Sequence, residues 1–376
     1  MKLIRFIRQE AVLSTAALLA VLSAFLVPPD AGYLSYLDLR TLAVLFALMA
    51  VMAGLRRQGV FDRLGRALLG RTRGLLALVW LLVGLCFFGS MVITNDVSLL
   101  TFVPFTFSVL SGLGAPGRRL AVPVVCMQTV AANLGSMLTP IGNPQNLYLY
   151  SRGGLPLGEF LGLMLPYTLA SLGMLAVWAV PVCRRAGALR PAPDASAAPT
   201  PPGERRIIGM YGVLFGLCLL VVARVLPYPA AFVLVLAAVA LADRPTLRLV
   251  DYSLLLTFVA FFVFIGNLGR VPAFSGWLQG LLAGREVPVA VLASQVLSNV
   301  PAALLLSGFT DDIPGLIVGT NLGGLGTLIA SMASLISYRQ IARECPEAKG
   351  RYFGLFTASN LVFLAALLGL WALIGR

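Results

Sequence analysis

Apolar residues in this chain come in long unbroken runs, and the polar residues gather between them. Runs of about twenty residues predict helices that cross a bilayer. A membrane barrel would need shorter strands with polar and apolar residues alternating. The pattern predicts spans over 9–27, 38–55, 119–149, 157–182, 207–226, 229–243, 250–268, 313–338 and 352–374. Two further apolar stretches, 74–112 and 287–309, carry polar residues at their centres, Thr94-Asn95-Asp96 and Ser298-Asn299-Val300-Pro301. The first reads as either two short spans or a hairpin that dips in and returns. The second is too short for two crossings, so a re-entrant hairpin buried in protein fits it better than a single ordinary span. The fold class expected is an all-α integral membrane protein, with about nine spanning helices and two re-entrant hairpins.

Composition narrows the function. Of 376 residues, 59% are hydrophobic and 11% charged, which excludes an ordinary soluble domain. No histidine is present, so histidine-based zinc, haem and acid–base chemistry is excluded. No Walker motif, GxSxG, HExxH or paired-carboxylate site occurs, and the chain is read as a non-enzyme without a cofactor. Cys86, Cys126, Cys183 and Cys218 are expected within helices and Cys345 in a loop, with no disulfide framework.

The net charge of +13 is carried by arginines between the runs, which points to the positive-inside bias rather than to nucleic acid. Lys2, Arg5 and Arg8 place the N-terminus in the cytoplasm, ahead of an uncleaved first helix. Arg56, Arg57, Arg63, Arg66, Arg71 and Arg73 place the 55–73 connection there too, and VFDRLGRALLG within it predicts an interfacial amphipathic helix. Arg270, after Gly269, reads as an interfacial arginine that snorkels.

A proline-rich run after Arg190 divides the chain into a first transmembrane repeat (1–183), a cytoplasmic linker (184–206) and a second repeat (207–376). The halves resemble each other. FALMAVMAG (46–54) matches FVAFFVFIG (258–266), and each leads through an amphipathic piece to a hairpin with Asn at its centre. NLGSMLTPIGNPQNLYLY (133–150) then aligns with NLGGLGTLIASMASLISY (321–338). The arginine count makes the two repeats inverted in topology, an arrangement that places a transport site near the midplane.

The 133–146 run NLGSMLTPIGNPQN cannot be one continuous helix, because Gly135, Pro140, Gly142 and Pro144 interrupt it. Its partner GTNLGGLGT (319–327) has the same broken character. Such breaks free backbone groups for anions and cations. The candidate substrate- and ion-binding positions are therefore Thr94, Asn95, Asp96, Asn133, Gly135, Thr139, Gly142, Asn143, Asn146, Ser298, Asn299, Thr320, Asn321, Gly323, Gly324 and Thr327. Asp96, an ionisable group within a long apolar stretch, is the candidate coupling residue for Na⁺ or H⁺, with Asn95 beside it as a second Na⁺ ligand. Ser98, Thr101, Thr106 and Ser108 are expected to satisfy helix carbonyls.

At these residues the chain resembles the ion transporter superfamily: divalent-anion/Na⁺ symporters, citrate transporters, arsenite permeases and one class of bacterial Na⁺/H⁺ antiporters. The resemblance runs from about 38 to 374. It implies two inverted repeats, each with a hairpin and a broken helix, in a scaffold that dimerises. Anion symporters of this group carry Ser-Asn-Thr at both hairpin tips. Asn95 and Asn299 keep that pattern, whereas Asp96 looks more like the arsenite-permease and antiporter branches. The reading is a multi-pass protein of the cytoplasmic membrane that moves a small anion, coupled to Na⁺ or H⁺. The alternatives are an arsenite-type efflux permease, a Na⁺/H⁺ antiporter and, more distantly, a channel or non-transporting receptor.

Overall fold

A computed structural model describes residues 10–186 and 204–374; Lys2, Arg5, Arg8 and most of the predicted linker lie outside the described residues. Among the described residues every regular element is a helix. In chain order these are α1 (Ala11–Leu26), α2 (Leu39–Arg57), α3 (Val60–Leu69), α4 (Leu75–Ile93), α5 (Asn95–Ser111), α6 (Gly114–Ser136), α7 (Pro144–Gly153), α8 (Leu157–Ala186) and α9 (Arg205–Val222). There follow α10 (Tyr228–Ala242), α11 (Tyr252–Gly269), α12 (Pro272–Leu282), α13 (Glu286–Leu297), α14 (Asn299–Ser307), α15 (Ile313–Gly323), α16 (Met332–Glu344) and α17 (Lys349–Ile374).

Six of these helices are long and apolar enough to cross a membrane, and α12 with α13, bent by 114°, makes a seventh candidate. The chain is an all-α membrane protein. The difference from the nine predicted spans has a local cause. α1, α10 and α15 are apolar but have only 16, 15 and 11 residues, and the 119–149 and 313–338 runs are each broken into two helices.

The broken helices occupy the centre. Every residue from 124 to 136 in α6, from 144 to 150 in α7 and from 316 to 325 around the end of α15 is buried. α4, α5, α8, α16 and α17 surround α6, while α13 and α14 pack on α15. α1 lies along α11, and α9 and α10 lie along α2. Between apolar helices in lipid, close approach of backbones supplies much of the packing. Gly135 packs on Phe87 and Ser90, where an added Cβ would lie 2.0 Å from the Phe87 carbonyl oxygen. Gly323 packs in the same way on Val291 and Ser294, with a corresponding approach of 2.6 Å to Ser294 Oγ. Gly54 lets the Tyr211 ring lie flat against α2.

Polar ties pin the periphery. Arg57 pairs with buried Asp243, which also accepts hydrogen bonds from Tyr211 Oη (2.9 Å) and Thr246 Oγ1 (2.7 Å). At the other end of α11, Asn267 donates to Ser23 Oγ (3.0 Å) and Tyr33 Oη (2.8 Å). Arg270 does more than snorkel. It pairs with Asp30 at 2.7 Å and holds that carboxyl below the usual carboxylate range. The expectation for the cysteines holds for Cys86, Cys126, Cys183 and Cys218, which lie in α4, α6, α8 and α9. Cys345 falls between α16 and a short 3-10 turn and is buried, and all five thiols are free.

Candidate functional site

Both hairpins turn over a single residue. Thr94 separates α4 from α5, with φ 69° and ψ 154°; Ser298 separates α13 from α14, with φ 76° and ψ 154°. This left-handed, extended backbone is one that non-glycine residues rarely adopt, and it persists only where surroundings hold it. The next residue does the holding. Asn95 N–H donates to the Gly142 carbonyl at 3.1 Å, and Asn299 N–H donates to the Ala330 carbonyl at 2.9 Å. Each tip is thus stitched to the break in its own broken helix. Both asparagines are buried, and each Oδ1 accepts the following backbone N–H, of Asp96 (2.9 Å) or Val300 (3.0 Å). Burial and the Gly142 bond place the turn at Thr94-Asn95 inside the protein and not in solvent.

The breaks are built alike as well. Thr139 Oγ1 donates to the Met91 carbonyl (2.5 Å), and Thr327 Oγ1 donates to the Gln295 carbonyl (3.2 Å). The freed carbonyls of the first break, those of Ser136, Met137 and Thr139, face the Asn146 amide at 3.4, 3.3 and 3.2 Å. Those of the second, of Gly323 and Leu325, take the Gln295 amide at 2.9 Å each. Amide side chains thereby occupy carbonyls that would otherwise lie unpaired at membrane depth. Asn143 caps α7, its side chain accepting the Asn146 N–H at 3.1 Å.

The two broken helices then exchange side chains across the centre. Asn321 accepts from Asn143 Nδ2 (3.2 Å) and donates to Asn146 Oδ1 (2.6 Å). Asn133 accepts from Ser331 Oγ (3.0 Å) and donates to Ser334 Oγ (3.4 Å). In the alignment of 133–150 with 321–338, Ser331 stands where Asn143 does and Ser334 where Asn146 does. The exchange is therefore reciprocal, helix end for helix start in both directions. Asn95 Nδ2 joins the network on Asn133 Oδ1 at 3.3 Å. All these side chains are buried and uncharged.

A cavity of about 510 Å³ opens on one side of this network. Its polar lining is Thr94, Asp96, Asn143, Arg56, Arg57 and Asp251; aliphatic side chains of α2, α5, α7 and α11 form most of the rest. The Asp96 Oδ1 atom is buried, and it has no hydrogen-bond partner among the described residues. The second tip is absent from the lining, since neither Ser298 nor Asn299 reaches this cavity.

The predicted positions thus divide. Asn95, Asn133, Asn143, Asn146 and Asn321 form one network, and Thr94 and Asp96 face the cavity. Gly135, Gly142, Gly323 and Gly324 serve close packing. Ser298 and Asn299 bind the second break. Thr320 closes on the Leu316 carbonyl of its own helix, and Thr327 is exposed. Ser98 meets the Cys86 carbonyl (3.3 Å), as expected for that group, whereas Thr106 accepts from Gln128 Nε2 (2.8 Å). Ser331, Ser334 and Gln295 are additional members. The repeat offset locates both serines, but nothing in the local sequence marks Gln295.

The chain matches the citrate transporter family over residues 3–313. It belongs to that family. Relatives include the "Inner membrane protein YbiR" of Escherichia coli, 33% identical over 81% of this chain and 80% of that protein. An uncharacterized transporter of Methanocaldococcus jannaschii is 33% identical over 80% of each chain. A silicon efflux transporter of rice is 33% identical over 39% of this chain and 29% of its own length. The chain is accordingly a multi-pass membrane transporter and not an enzyme, and a small-molecule anion is a substrate that fits the family.

Proposed function

We propose that this protein is a secondary active transporter that carries a small anion across the cytoplasmic membrane, coupled to Na⁺ or H⁺ through Asp96. The observation that carries the reading is the cavity that ends on Asp96, beside a network of uncharged amides and hydroxyls at two helix breaks. Anionic oxygens suit the amide and hydroxyl donors of the network. A carboxylate with an unpartnered oxygen suits a cation or proton. The two halves act as inverted repeats, 1–183 and 207–376, joined by a cytoplasmic linker, with the N-terminus in the cytoplasm and the chain working as a homodimer. By the arginine rule, the cavity bounded by Arg56 and Arg57 opens to the cytoplasm. Transport then exposes the network to each side in turn, as cargo and coupling ion shift the populations of the two states.

A second reading, an efflux permease or a cation/proton antiporter, draws on the two carboxylates of the cavity, Asp96 and Asp251, and on the efflux role for which the rice relative is named. One experiment separates them. Purified protein is melted with citrate, succinate, sulfate, phosphate or arsenite, with and without Na⁺, at two pH values, beside Asp96→Asn. A ligand of the native state raises the melting temperature by mass action. Anion stabilisation that needs Na⁺ or low pH, and weakens in Asp96→Asn, supports coupled anion transport. Stabilisation by Na⁺ or pH with every anion silent moves the assignment to the antiporter. Arsenite acting alone moves it to the efflux permease.

A further inference from the structure

We infer that Arg56 is the residue that selects anions at the mouth of the cavity, an assignment that rests on the anion-transport reading above. Two arginines stand side by side at the end of α2, and the fold separates their roles. Arg57 is committed to Asp243, whose remaining bonds go to Tyr211 and Thr246. Its charge is neutralised, and it ties α2 to the connection after α10. Arg56 has no carboxylate within ion-pairing distance among the described residues. Its Nη2 reaches only the Leu100 carbonyl of α5, at 3.4 Å.

That contact fixes its position. Leu100 lies four residues after Asp96, one helical turn or about 6 Å along α5, and Arg56, Asp96 and Leu100 all line the same cavity. The guanidinium therefore lies against the turn of α5 that follows the coupling carboxylate. A neutral carbonyl at 3.4 Å is a weak partner. An anionic oxygen would replace it with a shorter, charge-assisted bond to one or both nitrogens of the fork.

The surrounding charges make the arginine necessary. The other ionisable groups bearing on this space are all carboxyls: Asp96, Asp251, with one oxygen taken by the Leu254 N–H, and Asp62 of α3, which acts on Arg56 from outside the lining. With Arg57 paired, Arg56 is the uncommitted cation of an otherwise acidic cavity. Arg56 is exposed, so its field at the mouth is screened by salt and its effect on anion uptake depends on ionic strength. Without it, the cavity would repel anions and still admit cations.

The test is uptake into proteoliposomes under a Na⁺ or proton gradient, with radiolabelled citrate, succinate, sulfate and phosphate as probes. Wild type, Arg56→Gln, Arg56→Lys and Arg57→Gln are compared across ionic strength. Arg56→Gln is expected to raise KM for the transported anion about tenfold or more, on the scale of one lost charged hydrogen bond. Vmax stays within about twofold, and the fall of uptake efficiency with salt flattens. Arg56→Lys keeps the charge but loses the fork, so the salt dependence returns while KM recovers only in part. Should Arg56→Gln fail to fold, the lysine variant carries the test, its expected signature being a raised KM with the wild-type salt slope. Arg57→Gln lowers the melting temperature, and its KM rises less than that of Arg56→Gln. Wild-type KM and salt dependence in Arg56→Gln would overturn the assignment, as would a loss confined to Vmax. If wild type takes up none of the four anions, the transport reading fails and this inference with it; anion uptake in wild type with an unaffected Arg56→Gln defeats this inference only.

Discussion

The two hairpin tips have the same backbone and opposite chemistry. Thr94 and Ser298 share one left-handed conformation, and Asn95 and Asn299 each donate a backbone N–H to the break of a broken helix. One position further on, a carboxylate stands in the first tip and Val300 in the second. The first tip faces a cavity of about 510 Å³, whereas the second tip's Ser298 and Asn299 are buried against the second break. The comparison separates two duties. Holding a single-residue turn at membrane depth is a backbone problem, solved identically twice. In the proposed function, meeting an ion is a side-chain problem, and only the first tip carries an ionisable group.

The strongest way to break this comparison is to move the carboxylate. Asp96→Asn should lower gradient-driven uptake about 100-fold, the scale of roughly 3 kcal/mol for a contact to a charged group, without changing the melting temperature greatly. Adding Val300→Asp to that variant should not restore uptake, because the second tip does not face the cavity. Restored uptake would mean that the tips are interchangeable.

The glycines under the tips sharpen it next. Gly135→Ala drives a methyl into the Phe87 carbonyl, which belongs to helix backbone and cannot yield, and should cost about 3 kcal/mol or more in unfolding stability. Gly323→Ala meets the Ser294 hydroxyl and, at 2.8 Å, the Ser294 Cβ, a lesser overlap than the 2.0 Å at Gly135, and should cost less, about 2 kcal/mol. Denaturant unfolding in detergent ranks the two, and equal costs would contradict the difference in packing.

The reciprocal exchange predicts a smaller contrast. Asn321→Ala removes bonds of 2.6 and 3.2 Å to α7 and should cost about 2 kcal/mol. Asn133→Ala removes longer bonds, to Ser334 at 3.4 Å and Asn95 at 3.3 Å besides the Ser331 bond, and should cost about 1 kcal/mol.

The smallest effect belongs to the exposed Asp30–Arg270 pair. Its hydrogen bond to Arg270 lowers the Asp30 pKa from 3.8, so its contribution is complete above that value and lost as pH falls through the lower folded one. Solvent screening keeps the contribution small. Asp30→Asn should abolish the small acid-side change in melting temperature over that window.

Much of this was legible in the chain. Run lengths announced the helices. Thr94-Asn95-Asp96 and Ser298-Asn299 announced the tips, because polar groups inside apolar stretches need partners in the protein. Proline and glycine at 135–144 announced the first break. Span counting was less secure: a run of apolar residues has the same composition whether its helix is straight or broken, so 313–338 counts as one span even though the glycines at 319–326 mark a break within it. Arg56 was legible only as loop charge, since the positive-inside rule describes Arg56 and Arg57 alike. Gln295 had no signal, because its partners, the Gly323 and Leu325 carbonyls, are backbone atoms about thirty residues away.

The sequence by itself determined the class of protein, its helical character, the repeated order of its parts and the residue types at its breaks. These follow from local rules: bilayer thickness sets run length, missing N–H groups and absent side chains end helices, and a lone acid among apolar residues marks itself. The tertiary structure alone decided which amide meets which carbonyl, which arginine is neutralised and which tip faces open space. Those are pairings between segments up to 244 residues apart, set by where each helix packs, and the types of the residues do not encode that distance.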